Sequence, residues 1–227
     1  MLRVELHTHS ERSHDGRDPV DLLLGQAAAV GLDAMAVTDH DAIEASLEAA
    51  ERAADYGLVG IPGLEVTSDA GHVLALGVTD AIEPHRPFAE TVERIREAGG
   101  IAVVPHPFQS SRSGVGPHVS RAELADVDAI EVYNSRLLTG RGNRRAREFA
   151  LEHGLPMTAG SDAHISEMVG QAVTRIGTDE RSVGAIVEAV REGRTEVEGK
   201  RTPWHISFRQ AAGGARRRVR SRLADWF

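Results

Sequence analysis

Short apolar runs recur along this chain, and five histidines and three carboxylates stand just after or at the end of them. His7 and His9 follow Arg3-Val4-Glu5-Leu6, His40 follows Ala34-Met35-Ala36-Val37-Thr38, and His106 follows Ile101-Ala102-Val103-Val104-Pro105. Asp162 and His164 come after Pro156-Met157-Thr158-Ala159-Gly160, Glu65 closes Val59-Gly60-Ile61-Pro62-Gly63-Leu64, and Asp15 lies in the turn after the first run. Mixed histidine and carboxylate sets bind borderline and hard divalent cations. Ligands scattered this way, at corresponding strand ends, converge only if the strands are parallel and side by side. The pattern therefore predicts a metalloenzyme with many strands.

Between the runs lie helical segments. Asp18-Pro19 reads as an N-cap and first-turn proline for a helix ending near Gly31; others run over 42–54, 87–98, 144–152 and 180–191, and Ser120 with Glu123 forms a capping box. Strands are expected near 3–6, 33–38, 58–66, 73–78, 101–105, 128–133, 156–159 and 173–176. These runs are too continuous for a sheet wetted on one face, and alternation with helices predicts a parallel sheet. A doubly wound sheet offers a site only at its switch point, whereas a βα barrel brings the ends of all its strands to one mouth. The expectation is thus an α/β fold, a compact barrel, whole or incomplete.

Composition bounds the partners. No run of 18 apolar residues and no basic-then-apolar leader is visible, so a soluble, cytoplasmic protein without membrane contact is the default expectation. The absence of cysteine rules out disulfides and thiolate metal sites. The net charge of −8 conceals an asymmetry: residues 200–227 hold eight Lys or Arg against Asp225, a net +7, leaving −15 on the residues before them. A basic, helical C-terminal tail behind an acidic body at 1–199 suggests either packing through Val219, Leu223, Trp226 and Phe227 or a nucleic-acid contact. Neither Gly-x-Ser-x-Gly nor Gly-x-x-x-x-Gly-Lys-Ser/Thr occurs, which excludes a serine-hydrolase elbow and a P-loop.

His7-Thr8-His9-Ser10 with Ser13-His14-Asp15-Gly16, then Thr38-Asp39-His40-Asp41, Gly63-Leu64-Glu65, Pro105-His106-Pro107 and Ser161-Asp162-Ala163-His164 resembles the PHP (polymerase and histidinol phosphatase) superfamily over residues 1–176. The resemblance implies a distorted (β/α)7 TIM-like barrel, two or three divalent ions (Mn, Zn or Fe) and phosphoesterase chemistry. It implies that His7, His9, Glu65 and Asp162 form the catalytic set on one metal. Glu65 would bridge to a second metal with His106, and Asp15, His40 and His164 would hold a third. Either His14 or Asp15 fills the position after Ser13, and Asp15 is favoured because Gly16 follows it. The only histidine near the strand after Glu65 is His72, so water or substrate is left to complete the second site, and His72 is counted on the substrate side.

Arg136 and Asn134 follow the strand at 128–133 and are expected to face the mouth, Arg136 as a phosphate clamp; Arg112, in the Ser/Gly-rich loop after His106, is a further substrate-binding candidate. The expected reaction is hydrolysis of a phosphate ester (a nucleotide, an oligonucleotide 5′ end or a small monoester) by a metal-activated hydroxide. Two alternatives stand beside it: a non-catalytic metal-binding scaffold, and a metal-dependent hydrolase of C–N or carboxyl ester bonds.

Overall fold

A computed structural model of the chain describes residues 1–109, 114–136 and 140–200. The alternation is present: β1 (Leu2–Glu5), α1 (Val20–Ala29), β2 (Ala34–Ala36), α2 (Glu44–Arg52), β3 (Val59–Ile61), β4 (Gly63–Thr67), β5 (His72–Leu76), α3 (Phe88–Glu97), β6 (Ile101–Val104), α4 (Arg121–Ala125), β7 (Ala129–Asn134), α5 (Arg141–His153), β8 (Met157–Gly160), β9 (Ala172–Ile176), α6 (Val183–Arg191) and β10 (Thr195–Gly199). The Ser120–Glu123 capping box forms in both directions. Asp18 does not cap α1; its carboxylate accepts instead from the Ser166 backbone N–H at 2.6 Å, tying the loop after β8 to the start of the helix. The basic tail beyond Lys200 lies outside the described residues, as does Arg112.

The strands form two mixed five-stranded sheets, β10-β9-β1-β2-β3 and β4-β5-β6-β7-β8, so the α/β class holds, while the all-parallel sheet does not and the described strands show no TIM-like barrel. Chain geometry explains both departures. β4 and β5 are antiparallel because the turn 68–71 between them, closed by Ser68 and Gly71, is far too short for a crossover. The single strand expected over 58–66 divides at Pro62, which has no N–H to donate: β3 pairs with β2, and β4 pairs with β5. β10, whose Thr-Glu-Val-Glu-Gly sequence is largely exposed, pairs antiparallel with β9 at the edge.

No ladder closes the ring among the described residues. The two sheets meet through single parallel bridges, His40 to Glu65 and Thr8 to Ala163. Beside the second seam the Thr174 hydroxyl stands in for a ladder, bonding the N–H and C=O of Ala159 at 2.9 and 3.0 Å. Both seams fall on the motifs that the sequence singles out.

Packing follows the two-residue strand period. On β6, Ile101 and Val103 join Leu2, Val4, Leu74, Leu76 and Ile176 in a core between the sheets, with α6 contributing Ile186 and Val190. Ala102 and Val104 face the other way, against Phe88, Val92 and Ile95 of α3 and Phe149 of α5. On β2, Met35 packs on Leu23 and Leu24 of α1 and Ala45 and Ala49 of α2. Burying each such aliphatic side chain contributes about 1.5–3 kcal/mol, which explains why both faces of these strands read as apolar. No described helix is long and apolar enough to cross a membrane.

Candidate metal centre

Each motif is delivered by a specific local device. The turn after β1 is clamped by Asp39, whose carboxylate accepts from the Ser10 N–H at 2.6 Å and from the Ser10 hydroxyl. Asp41, at φ 54°, accepts from the N–H and hydroxyl of Thr67 at 2.7 and 2.8 Å, which fixes the His40 segment against β4. His106 and Asp162 also adopt positive φ, 33° and 51°. Non-glycine residues seldom do so, and such strain gathers where the surrounding structure holds a functional side chain in place. Gly160 lacks a side chain for a plain reason: a Cβ there would stand 2.6 Å from both Glu131 Oε1 and His7 Cβ.

Glu65 is the hub. Five imidazole nitrogens lie within 3.5 Å of its carboxylate: His7 Nε2 at 3.3, His9 Nε2 at 3.2, His40 Nδ1 at 3.4, His72 Nδ1 at 2.9 and His106 Nε2 at 3.5 Å. Asp162 Oδ1 lies 3.6 Å from His9 Nε2 and 3.3 Å from His164 Nδ1. Asp15 Oδ2 stands 2.6 Å from His164 Nε2 and 3.6 Å from His40 Nε2. All eight expected ligands are therefore brought together. His7, His9, Glu65, His106, Asp162 and His164 are each at most 5% exposed.

The alternatives left open at Ser13 resolve into neighbours. Asp15 is the inward residue, half-buried between His164 and His40, while His14 is exposed with its ring 4.7 Å from that of His40. His72 belongs with the ligand cluster, through Glu65 and a ring contact with His40 at 4.7 Å. Arg136 meets the centre directly: Nη1 donates to Asp162 Oδ1 at 3.1 Å and lies 2.8 Å from His164 Nε2. Asn134 does not face the mouth. It is buried, its Nδ2 donates to Glu131 and Asp162, and its Oδ1 accepts from the Arg136 N–H, which makes it a positioning residue.

Two carboxylates escaped the sequence reading. Glu131 accepts from the His106 N–H and from Asn134 Nδ2, each at 3.0 Å, and its other oxygen is 3.0 Å from His7 Nδ1. Glu5 accepts from the N–H groups of His7, Ser161 and Gly170. Glu131 carries a readable signal, a lone acid in the apolar run Ala129-Ile130-Glu131-Val132, whereas Glu5 shares Leu2-Arg3-Val4-Glu5 with Arg3 and carries none.

Electrostatics at the centre are strongly coupled. Burial pulls His7 down, but Glu65, Glu131 and Asp162 outweigh it and hold the imidazole well above its usual range. Burial works against His40 too, yet Asp15 and Glu65 bring it up to about 9. Burial pushes Glu65 up, and the surrounding histidines reverse this to well below the carboxylate range. His164 is brought down to about 4 by burial, His9 and Arg136. Burial pushes Glu5 up to about 7.

These residues fit divalent ions. His9 Nδ1 and Nε2, His40 Nδ1 and His106 Nδ1 are buried without a hydrogen-bond partner, and each such orphan costs about 1–3 kcal/mol unless something satisfies it. Triads of ligand atoms within 4.8 Å of one another include His7, His9 and Glu65; His7, His106 and Asp162; and His9, Asp15 and His164. Glu131 holds His7 by Nδ1 and leaves Nε2 turned to the cluster, the carboxylate–histidine arrangement that orients metal-bound imidazoles.

Comparison with known proteins agrees with this geometry. The PHP domain model matches residues 5–114, and a model described as PHP-associated matches 140–195. An uncharacterized protein of Methanocaldococcus jannaschii is 30% identical over 175 residues, covering 75% of this chain and 69% of the relative. A 3′,5′-nucleoside bisphosphate phosphatase of Chromobacterium violaceum is 35% identical over 101 residues, covering 43% of this chain and 34% of that enzyme. In structure, the chain is similar to a two-domain protein from Bacteroides vulgatus containing a predicted PHP-like metal-dependent phosphoesterase, with a TM-score of 0.73 at 24% identity. That likeness covers 87% of this chain and 64% of the other, so the chain spans somewhat under two thirds of it. The histidine motifs, the family models and the archaeal relative agree, and the chain belongs to the PHP family.

Proposed function

We propose that this chain is a metal-dependent phosphoesterase that hydrolyses a nucleotide, an oligonucleotide 5′ end or a small phosphate monoester. The observation that carries this reading is the buried ring of imidazoles around Glu65, with its unpartnered nitrogens, beside an arginine. His7, His9, Glu65 and Asp162 would hold one ion, His106 with Glu65 a second, and Asp15, His40 and His164 a third; the nitrogen and oxygen donors suit Mn, Zn or Fe. Bound there, such ions would supply an activated water and neutralise charge in a displacement at phosphorus.

The chain's own residues do the rest. Glu131 and Asn134 hold His7 and Asp162 in place from behind. Arg136, its side chain 18% exposed, presents the only guanidinium among the described residues that bonds the expected ligands, and its planar fork matches two phosphoryl oxygens. Burial of the ligands excludes bulk water, which strengthens each of these interactions. The name of the Chromobacterium relative supports a nucleotide-like substrate. Residues 1–199 would be the catalytic unit and the basic tail a nucleic-acid contact.

Asp162→Ala and His9→Ala test the reading. Both variants are expected to lose phosphate release from nucleotides and generic phosphate esters by at least about 100-fold, in the range of removing a directly acting group, while circular dichroism stays native. Full turnover in either variant refutes the assignment. A wild-type protein that binds metal and releases phosphate from no ester supports the scaffold instead.

A further inference from the structure

Among the described residues outside α5, twelve arginines stand within 4.0 Å of a carboxylate, as in Arg3–Glu198, Arg52–Asp21 and Arg136–Asp162. α5 differs. Its Arg141, Arg144, Arg145 and Arg147 are exposed, and among the described residues none of them has an acid at that distance.

At 100° per residue, Arg141, Arg144 and Arg145 share one face of the helix, with Glu148 and Glu152 further along it, opposite the buried Ala146 and Ala150. This ridge is anchored to the metal centre. Asn143 exchanges two 3.1 Å hydrogen bonds with the backbone of Asn134, whose side chain donates to Asp162. The Arg145 guanidinium lies 4.7 Å from the centroid of the Phe108 ring, two residues after His106. Helix stability does not explain the arrangement, since cations in the first turns oppose the helix dipole and the first turn holds no acid. Nor does general surface charge, because the chain carries −8.

Resting on the phosphoesterase reading, we propose that the Arg141–Arg144–Arg145 ridge binds the phosphodiester backbone of a single-stranded nucleic acid whose terminal phosphate enters the centre. Guanidinium forks match phosphate oxygens. The strand is single because six of the eight expected ligands, His7, His9, Glu65, His106, Asp162 and His164, are at most 5% exposed, a depth that an unpaired end reaches and a duplex does not. The acidic body around the ridge steers a polyanion toward this face, as the basic tail would.

The test uses the full-length, metal-loaded protein and a fluorescein-labelled oligothymidylate with hydrolysis-resistant phosphorothioate linkages, read by fluorescence anisotropy over a salt series. The variant Arg141→Gln/Arg144→Gln/Arg145→Gln is expected to bind at least about 10-fold more weakly. The slope of log K against log salt should fall by about 2, from roughly 0.7 per phosphate contact on a single strand. The matching Arg→Lys variant keeps the charge and is expected to retain the slope. Wild-type affinity in the glutamine variant overturns the proposal, and so does equal loss in the lysine variant, which would mark a structural role. Release of phosphate from 4-nitrophenyl phosphate by the wild type is measured alongside. Release without ridge-dependent strand binding defeats the ridge alone, whereas ridge-dependent binding without release defeats the phosphoesterase reading and leaves the ridge standing.

Discussion

Glu131→Gln isolates orientation of a ligand from the ligand itself. In the native site Glu131 Oε2 accepts from two fixed donors, the His106 N–H and Asn134 Nδ2, and Oε1 faces His7 Nδ1 at 3.0 Å. A glutamine must place its oxygen toward the two donors, because its NH₂ there would meet N–H against N–H. The NH₂ then points at His7 Nδ1 and makes that nitrogen an acceptor. The ring proton moves to Nε2, the nitrogen that faces Glu65 at 3.3 Å, and a protonated Nε2 cannot ligate an ion. Two of the three bonds are kept and the third is reversed, so the loss of folding stability should stay within about 1 kcal/mol. Metal affinity should fall about 10- to 100-fold, the usual cost of disturbing a partner that orients a ligand. That range equals about 1.4–2.7 kcal/mol. Titration calorimetry of chelator-treated protein with Mn²⁺ or Zn²⁺ reads the affinity, and a thermal melt reads the fold. An unchanged affinity in a folded variant would refute the reasoning.

Two further outcomes are expected. Gly160→Ala drives a methyl group to 2.6 Å from both Glu131 Oε1 and His7 Cβ; overpacking of this kind costs about 1–3 kcal/mol, visible as a lower melting temperature together with weaker metal binding, and a variant as stable as wild type would contradict the packing described. In chelated protein, burial raises Glu5 from 4.5 to about 7, so the neutral carboxyl contributes stability that is complete below pH 4.5 and is lost as pH rises through 7. Relative to Glu5→Gln, the wild type should lose about 3 kcal/mol over that window at 1.36 kcal/mol per unit; a difference independent of pH would show that the carboxylate is ionised throughout.

Much of this molecule was legible because strand ends and ligands coincide. His7, His9, His40, Glu65, His106, Asp162 and His164 each follow or close an apolar run, and each run is a strand or its extension. What the sequence obscured is pairing, which depends on partners distant in the chain. Pro62 signals a missing donor, but not that it passes the chain from one sheet to the other. The barrel expectation rests on parallel strands whose C-terminal ends share one mouth. Two sheets bridged at His40–Glu65 and Thr8–Ala163 achieve the same convergence. Asn134 was misread for a related reason: its place after β7 suggested the mouth, while the bulge between Glu131 and Tyr133 is not readable from composition, and the side chain turns in to Glu131 and Asp162. Glu131 and Glu5 both lie within strands; the apolar residues around it mark Glu131 in the sequence, while only depth of burial marks Glu5.

The central claim is that the imidazole ring around Glu65 holds divalent ions used on phosphate esters. Metal content by mass spectrometry of protein purified without chelator, with phosphate release assayed on the same sample, tests it most directly. The account predicts two or three ions per chain, with activity lost on chelation and restored by Mn²⁺ or Zn²⁺. Restoration at about 100 times Kd should also add about 2.7 kcal/mol per site, roughly 5–11 °C in melting temperature for a domain of this size. Protein that retains no metal, and stays inert with an unchanged melting temperature after Mn²⁺ or Zn²⁺ is supplied, would contradict it.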